Sequence, residues 1–75
     1  MNTAETKGME VVVNGETRQV PRDLDVARLL QFLEIDPSRV AVELNRAIVH
    51  KSAWSATRVQ EGAEIEIVWF VGGGR

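Results

Sequence analysis

Met9, Val11 and Val13 alternate with Glu10 and Val12, the period-two pattern of a strand with one mainly apolar face. Asn14-Gly15 follows, a pair tolerant of positive φ and a strong hairpin signal, so Thr17 to Val20 is expected to return as the second strand. Pro21 halts that ladder because it has no N–H to donate. Val26, Leu29, Leu30 and Leu33 then fall at i, i+3, i+4 and i+7, one apolar stripe along a helix. Asp25 is placed to cap it, and Asp36-Pro37 is expected to close it, since the residue before proline disfavours helical geometry. The leucines are read as core packed on a sheet rather than as a partner-binding surface.

Alternation returns with Val40, Val42 and Leu44 against Ala41 and Glu43. Asn45-Arg46-Ala47 reads as a turn and Ile48-Val49-His50 as a short strand. Residues 52–57 are too short and too β-branched at their end for a long helix, so an irregular or 3₁₀ turn covering Trp54 is expected. Glu61-Gly62 turns the chain into a last strand, Glu64 to Phe70. A hairpin, one amphipathic helix and further strands make an α+β domain with the helix packed on one sheet face. The first and last strands both look buried, which fits a mixed sheet with those two paired at its centre. Residues 1–8 read as a loose polar leader, 9–71 as the folded domain and 72–75 as a flexible glycine-rich tail.

Composition narrows the function. Seventy-five residues make one small domain, and 44% hydrophobic with 27% charged residues is ordinary for a globular chain. Without cysteine there is no disulfide, thiolate metal site or thiol nucleophile, and His50 alone makes no metal cluster. His50 is expected at the surface, as are the dispersed Arg18, Arg22, Arg28, Arg39 and Arg46. The net charge of -2 gives nucleic acid little to bind. No apolar run reaches membrane-spanning length and Met1 to Gly8 lacks a signal segment, so a cytoplasmic protein is expected.

Two features point to a reactive terminus. Gly72-Gly73-Gly74 follows the last strand, with Arg75 beyond. Glycines contribute nothing to a core, but they make a thin tail that can carry a carboxyl group down a narrow channel. A frayed end is the competing reading. In the last strand, Ile65 and Ile67 facing the core put Glu64, Glu66, Val68 and Phe70 on the opposite face. Val68 and Phe70 would then be an outward apolar patch beside the tail, a docking surface for partners, unless they cover the sheet's own far side. Trp69 shares the isoleucines' direction and is expected in the core or at its edge, with Trp54 covering the sheet end.

Val40-Ala41-Val42-Glu43-Leu44-Asn45-Arg46, then Ile48-Val49, Trp54, Glu61-Gly62, and Ile65 to Val71 ending in Gly72-Gly73-Gly74, resemble the ThiS family. These are small sulfur carriers of thiamine (thiazole) biosynthesis, and the likeness runs from Met9 to Gly74, including Asn14-Gly15-Glu16. Two positions depart from the family pattern: His50, where proline is frequent, and Arg75, since the reactive glycine normally comes last. The resemblance implies the β-grasp, ubiquitin-like form of the mixed sheet. It further implies a protein cosubstrate rather than an enzyme, with no bound cofactor. A ThiF-like adenylating enzyme would consume ATP to activate the Gly74 carboxylate after removal of Arg75. A cysteine desulfurase relay would supply sulfur for a thiocarboxylate, and thiazole synthase would receive it. An ending artificially extended, or one the partner tolerates, would also account for Arg75. The alternatives in function are a carrier for another pathway, such as molybdopterin synthesis, and a ubiquitin-like interaction module whose tail is never activated.

Overall fold

Two hairpins turn on asparagine. In the computed structural model, which describes residues 8–71, β1 (Gly8–Val13) and β2 (Glu16–Pro21) pair antiparallel with Val13 opposite Glu16. Asn14 and Gly15 between them have φ of 50° and 83°. Both are left-handed, as a type I′ turn requires, and the glycine adopts this without a Cβ clash. The strand starts at Gly8, one residue before the expected Met9, and the ladder stops at Pro21 as anticipated. β3 (Val40–Leu44) and β4 (Ala47–Val49) repeat the device with Asn45 at φ 51° and Arg46 at φ 73°. This turn uses two residues rather than the expected three, so Ala47 joins β4 and His50 lies outside it.

β5 (Glu64–Trp69) runs between the hairpins. Val12 and Val13 of β1 pair with Glu64 and Ile65 in parallel, and β3 pairs antiparallel from Val40 opposite Trp69 to Leu44 opposite Ile65. The five-stranded order is β2-β1-β5-β3-β4. The sheet is therefore mixed, with the first and last strands adjacent at its centre.

A single α-helix among the described residues, α1 (Val26–Phe32), covers one face. The Arg28 backbone N–H donates to Asp25 Oδ1 at 2.7 Å, the expected cap. Val26, Leu29 and Leu30 are fully buried against Met9, Val11, Val13, Val20, Val40, Val42, Ile65 and Ile67. Each large side chain in this core stabilises the fold by about 1.5–3 kcal/mol through area removed from water. The ion pairs, such as Arg22–Glu61 at 3.0 Å, are exposed and worth about 0–1 kcal/mol each, so the core decides stability.

The helix ends earlier than its sequence suggests. Glu34, not Asp36-Pro37, closes it by adopting φ 61°. The Glu34 N–H then donates to the Gln31 carbonyl at 3.0 Å and the Ile35 N–H to the Leu30 carbonyl at 2.9 Å, the paired closure of a Schellman turn. Leu33 and Ile35 are half-buried against the core edge. Pro37 instead begins a 3₁₀ turn, Pro37–Arg39, that leads into β3. A second 3₁₀ segment, Lys51–Ala56, lays Trp54 over the sheet end. Its ring is buried and its Nε1 donates to the Val49 carbonyl at 2.8 Å. Val59 and Ala63, which show no periodic pattern, complete the core.

Leu29→Ala is expected to lower unfolding free energy by about 2–5 kcal/mol in urea titration, because it opens a cavity at a fully buried site. Arg46→Gly should raise it by roughly 1 kcal/mol, since a left-handed residue with a Cβ is strained and the Arg46–Glu64 contact of 3.8 Å is exposed.

Candidate functional site

The described residues end just past β5, and this end is apolar and exposed. Ile65 and Ile67 point into the core, while Glu64, Glu66 and Val68 alternate onto the open face of the sheet. Val68 is 51% exposed and Phe70 60%, so both face outward as the alternation predicts. Ala41 of β3 lies opposite Val68. Ala41, Phe70 and Ile48 of β4 border one shallow hollow of about 200 Å³. Ile48 is 67% exposed, a position the sequence marks only as part of a short strand.

Trp69 departs from expectation. It shares the isoleucines' direction but is half-exposed rather than in the core or packed at its edge. β1 pairs only with Glu64 and Ile65, so the sheet has lost that neighbour four residues before Trp69, and the described residues leave half of the ring uncovered. Val71 is almost fully exposed. Gly72, Gly73 and Gly74, the candidate tail and its reactive residue, lie outside the described residues together with Arg75 and the leader through Lys7.

Hydrogen bonds on both edges hold the end of β5. The Phe70 N–H donates to the Arg39 carbonyl at 2.9 Å, extending the β3 pairing one residue past Trp69. That carbonyl sits on the Pro37–Arg39 turn, whose Asp36 Oδ1 accepts from the Ser38 N–H at 3.0 Å and the Ser38 hydroxyl at 2.8 Å. These bonds hold the Asp36 carboxyl below its ordinary value, the backbone bond contributing most. The turn's support is thus complete above the ordinary carboxylate pKa and is lost as pH falls through the depressed value. On the opposite edge the Asn14 side chain binds the backbone of Ile67.

Beside the apolar patch, Glu43, Glu64 and Glu66 share the open face with Arg46 and border a wide, open depression of about 400 Å³. Among the described residues no group of three or more potential ligands is placed to hold a metal ion. His50 is exposed, as expected, and so are Arg18, Arg22, Arg28, Arg39 and Arg46. Among the described residues no helix is long and apolar enough to cross a membrane. What this surface offers is an outward apolar patch on the strand that carries the chain into its glycines.

A mixed five-stranded sheet wrapped on one helix, with its last strand central and projecting, defines a ubiquitin-like β-grasp protein. The family model described as the ThiS family matches residues 11–74, and the chain belongs to that family. A crystal structure of a thiamine biosynthesis protein (ThiS) from Geobacter metallireducens superposes with a TM-score of 0.78 at 36% identity, covering 88% of this chain and all of that one. Among curated relatives, a protein named thiazole synthase from Paramagnetospirillum magneticum is 44% identical over 66 residues. Another of that name from Magnetococcus marinus is 37% identical over 67 residues. These alignments take in 88% and 89% of this chain, but the chain spans only about one fifth of either relative's length.

If Val68 and Phe70 contribute nothing to the core, Val68→Ser and Phe70→Ser should change unfolding free energy by no more than about 0.5–1 kcal/mol. Ile67→Ala, one residue away, should cost about 2–5 kcal/mol in the same titration.

Proposed function

We propose that this chain is a sulfur carrier of thiamine biosynthesis, a protein cosubstrate that works through the carboxyl group of Gly74 once Arg75 is removed. The observation that carries the reading is membership of the ThiS family over residues 11–74, a span that includes the glycines of the tail. A carboxylate is a poor acyl electrophile because its charge repels nucleophiles. In this reading a ThiF-like enzyme joins the Gly74 carboxylate oxygen to the α-phosphorus of ATP and releases pyrophosphate. A persulfide sulfur supplied through a cysteine desulfurase attacks the acyl carbon and expels AMP. Cleavage of the resulting sulfur–sulfur bond by a thiol leaves the thiocarboxylate. Three glycines suit these steps because no Cβ obstructs the approach to the acyl carbon or the passage of the tail.

Thiazole synthase is the acceptor in this scheme. Two relatives bearing that name contain a segment like this chain as about one fifth of their length. A carrier joined to its acceptor has a high effective concentration at the site that uses it, which is a physical reason for such an arrangement. The Val68, Phe70 and Ile48 patch supplies the docking surface: it is apolar, exposed and next to the tail, so burial against a partner stabilises the complex and aims the glycines together.

A chain ending at Gly74 should release one pyrophosphate per carrier when mixed with ATP and an adenylating enzyme of this family, and deletion of Gly73 to Arg75 should abolish the release. Phe70→Ser should raise the KM for the carrier about tenfold while leaving the fold intact. No pyrophosphate from the Gly74 form, with an enzyme shown to adenylate another carrier, would sink the proposal. A tail-deleted chain that still supports thiazole formation would point to a pure binding module.

A further inference from the structure

The backbone of β5 presents its hydrogen-bonding groups alternately to its two neighbours. Glu64 and Phe70 face β3: the Glu64 carbonyl accepts from the Asn45 N–H at 2.7 Å, and the Phe70 N–H donates to Arg39. Odd-numbered residues face β1. The Ala63 carbonyl accepts from the Val12 N–H at 2.9 Å, and the Ile65 carbonyl accepts from the Asn14 N–H at 2.9 Å. There β1 ends, and the next groups on this edge belong to Ile67. Both are taken by one side chain: the Ile67 N–H donates to Asn14 Oδ1 at 2.7 Å, and Asn14 Nδ2 donates to the Ile67 carbonyl at 3.2 Å. A carboxamide carries the same donor and acceptor as a peptide group, so it substitutes for the strand residue that β1 lacks. Trp69 is next in the series, and among the described residues its backbone has no partner on this edge.

We infer that Asn14 is a positioning residue for the C-terminal tail: among the described residues its side chain is the last hold on the β1 edge of β5 and, with Arg39 on the other edge, sets the direction in which Val68 to Val71 leave the sheet. This rests on the carrier reading above. The left-handed turn conformation at φ 50° aims the carboxamide across at β5, so one residue both makes the hairpin and pins a strand 53 positions away in sequence. Freed from the pin, the strand end samples directions that do not present the tail. An adenylating enzyme then meets a carrier that is only fractionally competent, which raises the apparent KM and leaves kcat alone.

Asn14→Gly separates the two roles, because glycine suits the turn and has no side chain to pin β5. Asn14→Asp is the companion: it tolerates the turn and keeps the acceptor, but sets a carboxylate oxygen against the Ile67 carbonyl. Two readouts are compared with wild type: amide hydrogen exchange along β5, and the kinetics of ATP-dependent adenylation of the Gly74 form. In the glycine variant the Ile67 amide should exchange about tenfold faster while the β3-facing amides of Glu66 and Val68 change little. Both variants should raise the carrier's KM about fivefold with kcat within about twofold.

Exchange at Ile67 unchanged, or KM unchanged, in Asn14→Gly overturns the inference. So does a uniform acceleration of all β1 and β5 amides with normal KM, which would make Asn14 an ordinary structural residue. A wild-type chain that is never adenylated removes the carrier reading and this inference with it, and is told apart by the lack of wild-type turnover.

Discussion

The structure depends on the insertion of β5 between β1 and β3. Every other strand pairing joins sequence neighbours through a two-residue turn, whereas β5 must find β1 some fifty positions away and align with it in parallel. Until that happens the two hairpins are separate, and α1 has no continuous sheet to cover. Ile65 and Ile67 then fill the space between Met9, Val11 and Val13 on one side and Val40 and Val42 on the other. Such a contact is costly in loop-closure entropy and makes the closing step of folding a non-local one. The same placement has a functional result. The strand at the centre of the sheet is the one whose exposed apolar end, Val68 to Val71, precedes the glycines in sequence.

Two asparagines share the work of holding that strand. Asn45, in the second hairpin turn, accepts from the Glu64 N–H through Oδ1 at 2.9 Å and also donates its own N–H to the Glu64 carbonyl. Asn14, in the first, holds Ile67 from the opposite edge. Each sits at the first left-handed position of its turn, a conformation that asparagine tolerates better than most residues. The turn chemistry and the tethering of β5 are therefore one design, with a side chain presented to the central strand from each flank. Past these anchors the character of β5 changes, from alternating core and solvent to a continuous run of exposed apolar residues.

Local features were readable from sequence because their causes are local. Asn14-Gly15, the Asp25 cap, the leucine stripe and the 3₁₀ turn under Trp54 each follow from a few adjacent residues. Glu34 hid the end of the helix, since a left-handed closure by glutamate carries none of the glycine signal that usually marks it. Trp69 was misplaced for a different reason: alternation gives the direction of a side chain but not whether anything lies there to cover it, and β1 stops too soon. The outward positions of Val68 and Phe70 were legible from the period of two. Ile48 and the second role of Asn14 were not, because both depend on strand order and on partners distant in sequence. The family resemblance supplied the tail chemistry, which no periodicity could.

The central claim is that this fold exists to present a carboxyl terminus for sulfur loading. The most direct measurement is the intact mass of the chain recovered from its native host, before and after incubation with ATP, the cognate adenylating enzyme and a persulfide source. The account predicts a species lacking Arg75 that gains the mass of one oxygen-to-sulfur exchange, localised by fragmentation to Gly74. A chain that retains Arg75 and never gains sulfur, with the enzyme and sulfur source shown to be active, would contradict it.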